Sequence, residues 1–171
     1  QEPQDRNNTY FIEAVGKFST DTALSENRWL CDPQLAGRGV LLRECYNLIQ
    51  EIVINFGLPE YVYTIKTNLA PDKTQRLSLT EDCASVSIRF SDKLLGNIIA
   101  NRVCHKNEML LRLYCPDKYI SVSPSSLCIH DLDGNVLAKK AGVEDDTAVY
   151  RDIIKDMACQ IKNKDFVSVL A

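Results

Sequence analysis

The 171-residue sequence lacks any apolar run near the roughly 18 to 20 residues that span a bilayer, so no membrane-spanning helix is expected. It also lacks a basic excess. Twenty Lys and Arg stand against 23 Asp and Glu, for a net charge of -3, so the surface as a whole does not offer the positive field that attracts phosphate backbones. There is no C-x-x-C pair, no internal repeat and no low-complexity linker. A phosphate-binding P-loop is missing, because no Gly-Lys-Ser/Thr follows the glycines of "LAGRGVLL", and so is a dinucleotide fingerprint. Of the two histidines, His105 is adjacent to Cys104, so the two point in different directions, and no second close pair exists; no metal site and no cofactor are expected.

The seven cysteines, Cys31, Cys45, Cys83, Cys104, Cys115, Cys128 and Cys159, are odd in number and scattered. That pattern reads as reduced thiols and predicts an intracellular protein, cytoplasmic or nuclear. The sequon Asn7-Asn8-Thr9 points the other way, but it lies in a polar tail. A first residue of Gln1 and the lack of a signal segment fit a domain excised from a longer protein. Residues 1–8 read as a disordered lead-in and 9–171 as one domain with one core.

Asp32-Pro33 followed by Leu41, Leu42, Cys45, Leu48, Ile49, Ile52, Val53 and Phe56 predicts a long helix over about 33–56, stopped by Gly57 and Pro59. Gly37 and Gly39 can delay its start to about Gly39 or Val40. "EYVYTIKTN" and the cleanly alternating "CASVSIRF" read as strands. Between 91 and 107, Leu94, Leu95, Ile98, Ile99 and Val103 behind Ser91 favour a helix, with a hairpin about Gly96-Asn97 as the alternative. Further strands fall near Met109–Leu113 and "KYISVS". A helix is expected over about 144–162, with acids at its start and lysines at its end. The fold class predicted is α+β: a mostly antiparallel sheet of about five strands flanked by two or three helices.

"LCIHDLDGNVL" resembles the Asp-x-Asp-Gly-Thr strand end of haloacid-dehalogenase-type phosphatases. That resemblance implies Asp131 as nucleophile, Asp133 as acid/base and Mg²⁺ on the phosphate. Asn135 stands where that family has Thr, and only 34 residues follow Leu137, too few for its parallel sheet. Asp133-Gly134 also suits a type I′ hairpin turn, with His130 opposite Leu137. The order of long helix, strands and helix resembles double-stranded-RNA-binding and RWD domains, without the lysine cluster of the first or the Tyr-Pro-x-x-x-Pro turn of the second.

With no convergent catalytic set, the sequence reading is a non-enzymatic interaction or dimerisation module of a larger complex, a scaffold or adaptor. Its partner would be another protein or a second copy, met through Trp29, Phe166, Val167, Val169 and Leu170. The alternatives are a small Mg²⁺-dependent phosphohydrolase using Asp131 and Asp133, or weak RNA binding at Arg102, His105, Lys106, Lys139 and Lys140.

Overall fold

The computed structural model describes residues 8–19, 38–68, 80–142 and 154–155. Strands β1 (Phe11–Ser19), β2 (Tyr61–Thr67), β3 (Cys83–Ser91), β4 (Leu94–Cys104), β5 (Glu108–Tyr114), β6 (Lys118–Ser123), β7 (Ser126–Asp131) and β8 (Val136–Ala141) form one sheet in the order β2-β3-β4-β1-β5-β6-β7-β8. Helices α1 (Val40–Arg43) and α2 (Tyr46–Phe56) lie in the connection from β1 to β2. β1 runs parallel to β4, and every other neighbouring pair is antiparallel.

The first strand therefore occupies the middle of the sheet. Its alternate residues Ile12 and Ala14 are fully buried beneath the helices. Ile12 lies between Gly96 of β4 and Leu113 of β5, and Ala14 between Ile98 and Leu111. With Val86, Ile88, Leu48, Ile52 and Ile120 these make one apolar core. Each such side chain removed from water contributes about 1.5–3 kcal/mol against the entropy of folding.

The expected α+β fold with five mostly antiparallel strands is corrected to an eight-stranded mixed sheet, with two helices among the described residues. Much of the difference lies at 91–107. Asp92-Lys93 is the turn there, Ser91 Oγ accepts from Lys93 N–H, and β4 follows. Gly96, Ile98, Ala100 and Arg102 face the core while Leu95, Ile99 and Val103 are exposed. The helical spacing of Leu94, Leu95, Ile98 and Ile99 arose from a strand that is apolar on both faces.

The long helix exists in two pieces. It breaks at Glu44–Cys45, where Cys45 turns its thiol into a second small core with Val40, Ala84 and Ala100. Positions 33–37 lie outside the described residues, as does the helix over 144–162 apart from helical Ile154–Lys155. The lead-in over 1–7 also lies outside them. No helix among the described residues is long and apolar enough to cross a membrane.

Candidate functional site

Where parallel strands end side by side, their carboxyl ends leave a crevice in which α/β proteins commonly bind ligands. Here that place is the carboxyl end of β1 and β4. Near it the described residues bring together the charged groups Arg43, Glu44, Asp82 and Arg102.

Arg102, near the end of β4, is 2% exposed, and Asp82, just before β3, is fully buried. Their closest approach is 3.8 Å from Arg102 Nη1 to Asp82 Oδ1, and Arg102 Nη2 lies 3.8 Å from Glu44 Oε1. Glu44 Oε1 also accepts from Arg43 Nε at 2.8 Å and pairs with Arg43 Nη2 at 2.7 Å. Two cations thus meet on one carboxylate oxygen at the break between α1 and α2. A buried charge left without these partners would cost several kcal/mol, so the cluster fixes α1 to β3 and β4. Backbone bonds reinforce it: Arg102 N–H donates to Asp82 O at 2.8 Å and Val40 N–H to Glu81 O at 3.0 Å.

Glu81 closes the start of α1. Its Oε1 accepts from Leu41 N–H at 3.2 Å, and a Cβ at position 39 would overlap its carboxylate and backbone. Glycine is required at 39 for that close approach. The free amides at the start of α1 are therefore no ready phosphate site, because the Glu81 carboxylate already sits there. A phosphate brought there would meet like charge.

Above the buried charges the rim is polar and reachable. Arg43 and Glu44 are partly exposed, and Tyr46 and Asn47 open α2 on its exposed side. Guanidinium, carboxylate, phenol and amide groups together can donate to and accept from the hydroxyls of a polar ligand. Beside them, Cys45 is a poor nucleophile, since burial pushes its thiol up to about 11. Burial also raises Cys83, helped by neighbouring Asp82. A separate cavity of about 200 Å³ under α2 is lined by Leu41, Ile49, Val53, Val62, Ile88 and Phe90. It has no charged group to orient a polar substrate.

The residues singled out from sequence lie elsewhere. Asp131 and Asp133 sit at the exposed end of the β7–β8 hairpin. Gly134 N–H donates to Asp131 O at 3.2 Å, and Asn135 binds both oxygens of the Asp131 carboxylate at 2.8 Å. Those hydrogen bonds from Asn135 hold Asp131 below the ordinary carboxylate range. With Gly134 at φ 90°, the turn makes a bulge that shifts His130 opposite Val136, while Ile129 keeps Ala138 in the register the sequence implies. The pair forms no catalytic pocket. Arg102 is buried and cannot join a surface patch with His105, Lys106, Lys139 and Lys140. Trp29, Phe166, Val167, Val169 and Leu170 lie outside the described residues. No group of three His, Cys, Asp or Glu residues suited to a metal occurs among the described residues.

No family model and no curated protein matches the sequence. Solved structures do match in fold. UDP-N-acetylglucosamine 3-dehydrogenase from Acidithiobacillus ferrooxidans aligns with TM-score 0.66 and 16% identity, over 90% of this chain and 46% of its own. Levoglucosan dehydrogenase in complex with NADH gives 0.64 and 15%, over 82% and 40%. The WlbA dehydrogenase from Bordetella pertussis, in complex with NADH and UDP-GlcNAcA, gives 0.60 and 15%, over 84% and 41%. The chain spans less than half the length of these proteins.

That likeness corrects the reading of a non-enzymatic interaction or dimerisation module, with its scaffold and adaptor roles. The chain has an enzyme-like fold that occurs in NADH-binding dehydrogenases. The phosphohydrolase and RNA-binding alternatives lose their sites to the geometry, since Asp131 and Asp133 belong to a hairpin end and Arg102 is buried.

Proposed function

We propose that this chain is the substrate-binding part of an NAD(P)-linked oxidoreductase acting on a polyhydroxylated, sugar-like molecule. The observation that carries the reading is the match of the mixed sheet, with β1 parallel to β4 at its centre, to dehydrogenase structures over 82–90% of the chain. The three named above are, by their titles, a UDP-N-acetylglucosamine dehydrogenase, a levoglucosan dehydrogenase and a dehydrogenase bound to UDP-GlcNAcA.

The dinucleotide does not fit the described residues. Its pyrophosphate needs a glycine turn between a parallel strand and a helix N-terminus, and here the Glu81 carboxylate fills the space beside Gly39 at the start of α1. The dinucleotide is therefore held by other residues of the polypeptide in which this chain occurs. The chain contributes the rim at the carboxyl ends of β1 and β4. Arg43 and Glu44 hold one another rigid, so they present fixed donors and acceptors to hydroxyl groups. The ring of Tyr46 offers an apolar face to a sugar, and Asn47 a further donor and acceptor.

The test is absorbance at the reduced nicotinamide band, with the polypeptide containing this chain, NAD or NADP, and a panel of free sugars, anhydrosugars and nucleotide sugars. Turnover of at least one member is expected. Asn47→Ala should raise KM for that substrate about tenfold, the worth of one good hydrogen bond, while dinucleotide affinity stays unchanged. A polypeptide that binds neither dinucleotide would overturn the reading.

A further inference from the structure

α2 stops short of the edge of the sheet. β2 is an edge strand, and its alternate residues Val62, Thr64 and Lys66 belong to the helix side, because they pair with Ile88, Val86 and Ala84, which are buried there. The β2 residues themselves are exposed, Val62 at 59%. Between α2 and β2 lies the cavity of about 200 Å³, walled by Ile49 and Val53 of α2, Val62 and Thr64 of β2, and Ile88 and Phe90 of β3. Leu42 and Val62 line it and are also exposed, so it opens to solvent along β2.

The lining decides what can occupy it. Among the described lining residues, Thr64 alone carries a polar side chain. A buried water needs about two to four polar partners, so this cavity is a poor site for water and a good one for an apolar body. Apolar cavities of about 150 Å³ take up benzene, so this one has room for about eight carbon atoms.

The mouth adds a charge. Lys66 follows Thr64 on the same face of β2 and is exposed. No described residue forms an ion pair with it. The carboxylates on the α1 side are already engaged, Glu81 by Leu41 N–H and Glu44 by Arg43 and Arg102. A free ammonium and a hydroxyl beside an apolar cavity match a molecule with an anionic head and an apolar body. One cation balances one negative charge, which favours a carboxylate over the near-dianion of a phosphate monoester.

We propose that the cavity between α2 and β2 binds a small apolar carboxylate of about eight carbon atoms. Its body lies against Ile49, Val53 and Ile88, and its head accepts from Thr64 Oγ1 and Lys66 Nζ. This site is separate from the rim at the carboxyl ends of β1 and β4, and it is independent of the reading given for that rim.

Calorimetric titration of the polypeptide containing this chain with octanoate, 3-phenylpropanoate, acetate and 1-octanol tests the proposal. One or both of the larger acids are expected to bind with Kd of about 10–100 µM. Acetate should bind at least a hundredfold more weakly, because it fills so little of the cavity. Lys66→Gln, at an exposed position, should weaken the larger acid about tenfold and leave 1-octanol unchanged. Val53→Phe fills the cavity and should abolish binding of both. Circular dichroism of each variant reports folding, so a misfolded Val53→Phe leaves Lys66→Gln to decide. Methyl resonances of Val53, Val62 and Ile88 should shift as the acid is added. Binding of neither larger acid at roughly 1 mM, acetate binding as tightly as they do, affinity untouched by Lys66→Gln, or shifts confined to the other face of the sheet or to another portion of the polypeptide would each overturn it.

Discussion

The two faces of the sheet are built from the same strands but by different means. On the helix side Ile12, Ala14, Ile98, Leu111, Leu113 and Ile120 are buried to 7% exposure or less and touch α2 or one another. On the other side an aromatic ladder runs across β1, β5, β6 and β7. Phe11 meets Tyr114 at 6.0 Å, Tyr114 stacks on Tyr119 at 5.7 Å, and Tyr119 on His130 at 4.4 Å with rings 4° apart. Between the rings, Glu13 accepts from Arg112 at 2.8 Å and from Tyr114 at 3.1 Å. One face derives its stability from burial. The other uses polarised cross-strand pairs, each worth a fraction of a kcal/mol to about 1 kcal/mol.

Perturbing each face in turn separates these contributions. Arg102→Ala should have the largest effect, about 3–5 kcal/mol in urea unfolding, because it leaves Asp82 and Glu44 without their shared buried cation. Leu113→Ala, on the helix side of β5, should cost about 2–5 kcal/mol through the cavity it opens. Tyr119→Ala, at the middle of the ladder, should cost only about 1 kcal/mol in dilute solution. A loss from Tyr119→Ala as large as that from Leu113→Ala would erase the distinction between the faces.

A smaller effect is a pH dependence confined to the face away from the helices. The Arg112 hydrogen bond, with help from Tyr114, holds Glu13 below its ordinary value of 4.5. A depressed folded-state value means stability present above about pH 4.5 and lost as pH falls through the lower, folded-state value. Wild-type stability should therefore drop in that acid window by about 1 kcal/mol more than that of Glu13→Gln. Equal slopes in urea midpoints of the two proteins between neutral and acid pH would contradict the assignment. Asp133→Asn, at the hairpin tip, should change stability by no more than about 0.5 kcal/mol.

The sequence disclosed one face better than the other. "CASVSIRF" alternated because Ala84, Val86 and Ile88 are buried while Ser85 and Ser87 are exposed, and such a strand announces itself. β4 was read as a helix because Leu95, Ile99 and Val103 make its outer side apolar too, blurring period 2 into something near 3.6. The misreading and the apolar outer face share one cause. The central place of β1 could not be read locally, since a strand that pairs with β4 and β5 some 80 to 100 residues later carries no local sign of them. The carboxyl-end rim was invisible for the same reason. Arg43, Glu44, Asp82 and Arg102 come from three distant segments, and no spacing rule joins them. A hint existed in Arg102 itself, which alternates in step with buried Ile98 and Ala100 and so had to face inward.

The central claim is that this chain supplies the substrate side of an oxidoreductase while its dinucleotide is held elsewhere. Titrating NADH and NADPH by nicotinamide fluorescence tests it most directly, using the 171-residue chain beside the polypeptide that contains it. Saturable binding by the longer polypeptide and none by the 171-residue chain is the predicted result. Tight binding by the 171-residue chain alone, or by neither protein, would contradict it.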